Sequence, residues 1–170
     1  MTDDPGVLAQ EMLGPPPFRF DPAPGPGFVE GAAFTVPFRF LAIGIVGACA
    51  AGLFGLWQAG RLASASGTTG IGWLLAAVAM LALMGWHILT SRTRIDPEAL
   101  QQTLVWNKRM EMRELAYAKL IRVRGLDWLI APRLYVRTLL GKFAIFHVAD
   151  PQVLEACERL CAELKRFRRF

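Results

Sequence analysis

The chain is poor in the residues that most chemistry needs. Its 170 positions hold three cysteines, two histidines and two tyrosines. The cysteines form no CxxC pair and no Cys/His cluster at metal spacing, which excludes a disulfide framework and the common zinc motifs. Cys49 lies in an apolar run. Cys157 and Cys161 stand one helical turn apart, the pattern of reduced core thiols. His87 and His147 fall in different segments, and no GxxxxGK[ST], GxGxxG, HExxH or GxSxG pattern occurs. With neither a nucleophile–base pair nor a metal cluster spelled out, enzyme activity, a cofactor and a small-molecule substrate are not expected. RNP, KH and helix-turn-helix signatures are missing too, so nucleic acid is not an expected partner.

Charge is missing locally. Residues 41–60, "LAIGIVGACAAGLFGLWQAG", and 71–90, "IGWLLAAVAMLALMGWHILT", contain no Asp, Glu, Lys or Arg. A helix rises about 1.5 Å per residue, so about 20 apolar residues cross a hydrocarbon core of about 30 Å. The two runs read as transmembrane spans. The absence of ionisable groups other than His87 and Cys49 within them argues against a channel or transporter. Trp57, Trp73 and Trp86 stand near the span ends, where amphipathic rings favour the interface. A cleaved signal peptide is not expected, because the first apolar run begins at residue 41, behind an acidic "MTDDP".

The connection "RLASASGTTG" (61–70) is short and turn-rich, which predicts an antiparallel hairpin. Arg39 precedes span one, Arg92 and Arg94 follow span two, and the connection holds only Arg61. The positive-inside rule then puts both termini in the cytoplasm. Span one carries two ladders of small residues, Gly44/Ala48/Gly52 and Gly47/Ala51/Gly55, which let helix backbones approach closely. They can pack the hairpin itself, which is the simpler use, or a second copy or partner helix.

What the chain has in quantity is apolar surface and, late in the sequence, positive charge. Hydrophobic residues make up 54% and the net charge is +5. Residues 1–90 carry three arginines against five acids, whereas residues 91–170 carry sixteen bases against nine acids. A basic half beside apolar spans points to an anionic membrane surface, with positive-inside bias as the plainer account.

Beyond Arg92 the periodicity becomes that of short strands. "RTRID" alternates before the turn signal "PEA". "LQQTLVWN" (100–107) places Gln102, Leu104 and Trp106 on one face of a strand, and "LIRVRGL" (120–126) alternates as well. "RLYVRTLL" (133–140) and "KFAIFHV" (142–148) flank Gly141 as a hairpin. A helix over about 151–168 follows, with Asp150 as N-cap and Pro151 first. Val153, Leu154, Cys157, Leu160, Cys161 and Leu164 form its apolar stripe, and Lys165, Arg166 and Arg168 load its C-terminal end. Residues 1–37 are rich in Pro and Gly and are expected to be largely irregular, followed by the hairpin (38–90) and a cytoplasmic domain (91–170).

The sequence "PFRF" occurs twice, at 17–20 and 37–40, and "RFRRF" stands at 166–170. Phe38, Arg39 and Phe40 read as interfacial anchors at the mouth of span one. Phe18 and Phe20 lie in an extended Pro/Gly stretch, able to dock on a membrane surface, on a sheet edge, or nowhere.

Two spans, then "RTRIDPEALQQTLVWNKRMEMRELAYAKLIRVRG", strands and a closing helix resemble the bacterial membrane-anchored PH-like proteins, including the YcxB-like group. Thr93, Ile95, Asp96 and Leu100 match the segment that opens the sheet there; Glu114-Leu115 and Leu120-Ile121 occupy the place of its next hydrophobic strand. The resemblance covers about residues 38–168. It implies a partly open antiparallel β-barrel capped by the C-terminal helix, held at the bacterial inner membrane, and it implies no catalytic residues. The expectation is a non-catalytic α+β membrane protein. Its domain would hold a protein partner or anionic lipid headgroups through Arg92, Arg94, Lys108, Arg109, Arg122 and Arg124. The alternative is a small assembly subunit or homo-oligomer packed through the ladders of span one.

Overall fold

The computed structural model describes residues 17–22, 27–60, 67–123 and 125–168. The chain is α+β. Strand β1 (Val29–Ala32) leads into helix α1 (Val36–Gln58), and helix α2 (Gly67–Thr90) leads into strand β2 (Arg92–Ile95). Strands β3 (Ala99–Gln102), β4 (Lys108–Glu111), β5 (Leu115–Ile121), β6 (Arg133–Thr138) and β7 (Phe143–His147) follow, then helix α3 (Pro151–Arg168).

Two stretches, Val36–Gln58 and Ile71–Thr90, are long and apolar enough to cross a membrane, and neither is buried inside the protein. Thr35 starts α1 with an extended backbone and accepts the Phe38 N–H at its Oγ1, 3.4 Å away. Pro37 falls in the first turn, where a missing N–H costs nothing. Phe38, Ala42 and Val46 of α1 and Leu81, Gly85 and Ile88 of α2 line a pocket of about 150 Å³ between the helices. A Cβ on Gly85 would stand 3.3 Å from Val46 Cγ2, so glycine permits this approach. Of the expected connection, residues 61–66 lie outside the described residues, and 67–70 belong to α2.

Strands β1-β2-β3-β4 form one antiparallel sheet and β5-β6-β7 a second. The expected barrel does not close. β4 and β5 share no ladder; a single 3-10 turn at Met112–Glu114 carries the chain from one sheet to the other, with Met112 driven into the core. A polar seam links the sheets instead. Thr93 Oγ1 donates to the His147 carbonyl at 2.6 Å, and Gln102 Nε2 donates to Thr93 Oγ1 at 3.2 Å. α3 lays Val153, Ala156, Cys157, Leu160 and Leu164 over Ile95, Leu100, Leu115, Leu134 and Phe146. Burial of each large apolar side chain contributes about 1.5–3 kcal/mol. Gly31 admits the start of α3, since a Cβ there would overlap Asp150 and stand 2.8 Å from Val153 Cγ2.

The domain has a hairpin end and a far end. β1 stops and β2 starts at the helices, with Ala32 opposite Arg92 and the Ala33 N–H donating to the Ser91 carbonyl at 3.2 Å. By antiparallel register, the loops 103–107 and 122–132 and the end of β7 share the hairpin end. The turns at Asp96–Glu98, Met112–Glu114 and Leu139–Lys142 lie at the far end. α3 runs between the two, from Asp150 beside Gly31 to Arg168, whose guanidinium donates to the Leu115 carbonyl at 3.1 Å.

Several expectations shift. The strand expected over 100–107 ends at Gln102: at the next rung the Arg92 N–H donates to Thr103 Oγ1 at 3.0 Å, and the Thr103 carbonyl accepts from the Ser91 hydroxyl at 2.5 Å. The strand expected over 120–126 lies at 115–121, and Gly125, at φ +85, turns the chain where alternation suggested continuation. The segment expected to be irregular supplies β1. It also supplies Phe18 and Phe20, only 4% and 2% exposed, to the core. Phe18 meets Phe167 at 5.4 Å, and Arg159 donates to the Pro22 carbonyl and covers Phe20. The first "PFRF" is thus a core plug at the far end, whereas Phe40 of the second is 68% exposed. Phe20→Ala is expected to cost about 3–5 kcal/mol of stability, and Phe40→Ala to cost nothing measurable in detergent. Thermal unfolding of the two variants of the full chain checks this, and equal melting points would refute the assignment.

Candidate functional site

Of the six candidate cations, five lie among the described residues, and those five do not share one face. Arg92 pairs with Glu30 at 3.3 Å. Arg94 pairs with Asp96 at 2.8 Å and lies 4.0 Å over the Phe28 ring. Arg109 shares their outward face, in register with Gln101 and through it Arg94, and is exposed. Lys108 Nζ donates to the Ile145 carbonyl at 3.3 Å, tying β4 to β7. Arg122 pairs with Glu158 of α3, and Arg124 lies outside the described residues. Three of the six are therefore already matched by acids of the same chain, and such exposed pairs contribute only about 0–1 kcal/mol each. Arg109 also borders an open groove of about 1020 Å³ with Arg19, Arg113, Asp21, Glu98, Glu111 and Glu163, three bases against four acids.

The ladders also fall elsewhere than expected. A Cβ built on Gly44, Gly47, Gly52 or Gly55 meets nothing within 4 Å, and Ala48 and Ala51 are exposed. The hairpin packs on another stripe of α1, offset from both ladders. Of the interfacial anchors, Trp57 and Trp73 stand exposed at the far tips of the helices, and Trp86 one turn from the end of α2. Phe38 stacks on Phe34 at 5.4 Å, and Arg39 is half-buried.

The grouping that sequence reasoning missed is the outer face of β5-β6-β7. Strand alternation sends Tyr117, Lys119 and Ile121, then Arg133, Tyr135 and Arg137, then Phe143, Ile145 and His147 to that side. Register sets Arg137 between Tyr117 and Phe143, and Tyr135 between Lys119 and Ile145. Tyr135 lies 6.4 Å from Tyr117 and 6.3 Å from Phe143, an aromatic ladder across three strands. No acid occupies an outward position, and the ion pairs found among the described residues leave Lys119, Arg133 and Arg137 without an acidic partner. The sequence signal was there as strand alternation in "RLYVRT" and "KFAIFH", but its meaning depends on which strands adjoin.

His147 closes this face at the hairpin end. Its ring lies 5.1 Å from Phe34, and burial, aided by Arg133 and Lys108, lowers its pKa from 6.5 to about 4. Burial pushes the Cys157 thiol far up and the Cys161 thiol up to about 11, so neither is a ready nucleophile. Among the described residues, no three His, Cys, Asp or Glu side chains gather as a metal site. Comparison with family models, curated proteins and solved structures finds no match for this chain.

His147 also sets a pH dependence. Its folded pKa lies below the unfolded value of about 6.5. The unfolded chain therefore binds the extra proton, and stability falls as pH drops from about 6.5 to about 4. Replacement by His147→Gln is expected to flatten the dependence of the melting temperature on pH across that window by an amount worth about 1–3 kcal/mol. Melts of the full chain in detergent measure it, and parallel wild-type and variant curves would contradict the assignment.

Proposed function

We propose that this protein is a non-catalytic membrane-anchored adaptor. α1 and α2 cross a bacterial inner membrane as a hairpin with both termini cytoplasmic, and the two-sheet domain, PH-like in layout, stands on the cytoplasmic surface. Its β5-β6-β7 face takes an acidic protein segment that also carries apolar or aromatic side chains. The observation that carries this reading is the interleaving of Lys119, Arg133 and Arg137 with Tyr117, Tyr135 and Phe143, with no acid among them. Charge complementarity would select the partner, and the aromatic ladder would supply the contact area. Headgroup binding through the six cations expected earlier is the weaker form of the idea, since Arg92, Arg94 and Arg122 already hold acids of their own chain.

The test uses the full chain in nanodiscs of neutral lipid and a fluorescent peptide of alternating Glu and Tyr. Binding is expected, weakening as salt rises. The triple variant Lys119→Glu, Arg133→Glu and Arg137→Glu is expected to lose at least about tenfold in affinity, equivalent to about 1.4 kcal/mol. Equal affinity of the variant would sink the proposal, as would binding to anionic vesicles with none to the peptide.

A second reading has its own support. The ladders Gly44/Ala48/Gly52 and Gly47/Ala51/Gly55 have open space around their glycines, so a partner helix or second copy can approach them without disturbing the hairpin. Under this reading, the pair Ala48→Leu and Gly52→Leu reduces the oligomer mass measured in mild detergent to that of a monomer. A wild-type protein that is already monomeric would dismiss it.

A further inference from the structure

Two loops at the hairpin end carry exposed tryptophans. Trp106, in the loop 103–107, is 78% exposed, and Trp128, in the loop 122–132, is 63% exposed. Each loop is bonded to one of the two strand–helix junctions. Ser91, the single residue between α2 and β2, donates its hydroxyl to the Thr103 carbonyl at 2.5 Å, and the Arg92 N–H donates to Thr103 Oγ1 at 3.0 Å. Thr35, the residue that caps α1, donates its hydroxyl to the Leu129 carbonyl at 2.6 Å. Both loops are thus held level with the helix ends, one beside each helix.

The loop compositions agree with that placement. "TLVWN" (103–107) has no charge, and the sequence 122–132 has one acid, Asp127, with two bases, Arg122 and Arg124. Two of the far-end turns differ in kind, holding Asp96, Glu98, Arg113 and Glu114, while the third carries exposed Leu139 and Leu140 beside Lys142. α1 has 23 residues, about 35 Å of helix against a hydrocarbon core of about 30 Å, so its first turn reaches the headgroup zone. Groups bonded to Thr35 and Ser91 lie at that depth. An indole there buries its ring among acyl chains while its N–H meets water or a headgroup.

We propose that Trp106 and Trp128 insert into the interfacial zone of the bilayer that the hairpin crosses, so that the domain contacts the membrane at four points, two helices and two loops. The inference rests on the reading of α1 and α2 as membrane-spanning. Continuity with the apolar helix surface favours lipid over protein as the occupant of these loops.

The experiment is designed to separate the two ideas. The full chain, labelled with 5-fluorotryptophan, is placed in phosphatidylcholine/phosphatidylglycerol nanodiscs and studied by fluorine NMR. Trp106→Phe and Trp128→Phe assign the two loop signals. Lipids spin-labelled high on the acyl chain and a water-soluble gadolinium chelate are the two probes. The expected result is broadening of Trp106 and Trp128 by the lipid label to the same degree as Trp86, with little effect of gadolinium. If Trp57, Trp73 and Trp86 also ignore the lipid label, the spanning reading fails and the loop proposal falls with it. If those three respond and the loop tryptophans respond only to gadolinium, the hairpin reading stands and the loop proposal is overturned. Loop signals protected from both probes would overturn it too, in favour of a protein covering.

Discussion

The structure depends on the ladder between β1 and β2, strands separated in sequence by the whole helical hairpin. Val29, Glu30, Gly31 and Ala32 face Ile95, Arg94, Thr93 and Arg92, although residues 33–91 intervene. Closing so long a loop between free strands would be entropically costly. Here the antiparallel helices hold the two ends close together. Their axes pack about 8–10 Å apart, while paired strands lie about 4.8 Å apart. Ala33–Thr35 on one side and Ser91 on the other absorb that convergence. Ala33 and Ser91 are fully buried, and the hydroxyls of Thr35 and Ser91 bond into neighbouring loops. Little slack remains, so hairpin and domain form one body.

That joint gives the domain its polarity. Trp106 and Trp128 lie at the hairpin end, and the acids of the turns at 96–98 and 112–114 lie at the far end. The basic end of α3 is also far from the hairpin, where Arg168 meets the Leu115 carbonyl and Phe167 meets Phe18. Its cations offset the helix dipole, and Phe167 and Arg159 cover the N-terminal plug. "RFRRF" and the two "PFRF" copies share a composition but no role. One "PFRF" fills the core and the other opens α1, while the described part of "RFRRF" closes the domain.

Legibility in the sequence followed the range of the interactions. Both long apolar helices, the 151–168 helix and the hairpin around Gly141 are local patterns and could be read directly. β1 is four residues, "VEGA", with no alternation of its own; only its distant partner β2 makes it a strand. The same distance hid the fate of the cations. Charges can be counted along a chain, but the pairing of Arg92 with Glu30 or Arg122 with Glu158 is set by the fold. The packing stripe of the hairpin was hidden for another reason. In a helix apolar all round, hydropathy has no phase, so nothing in span one marked Phe38, Ala42 and Val46 as the packing stripe over the glycines. Trp128 carried no local signal either; its position follows from the bond between Thr35 and Leu129.

The joint also bears on how so exposed a face can serve in recognition. Single exposed cations contribute about 0–1 kcal/mol each, and three with an aromatic ladder make a weak site in free solution. Under the proposed reading, anchoring changes the arithmetic. A partner held at the same membrane meets the face at an effective concentration set by geometry, which adds affinity without any new contact. That gain is largest when the site is held at a fixed height and tilt. Phe38 stacked on Phe34, and Phe34 against His147 at the end of β7, connect the first turn of α1 to the strand that borders the face. A domain on a flexible linker would present the same residues in many directions. In this protein the strand–helix junctions fix the direction, so under the proposed reading recognition is bought by placement more than by contact strength.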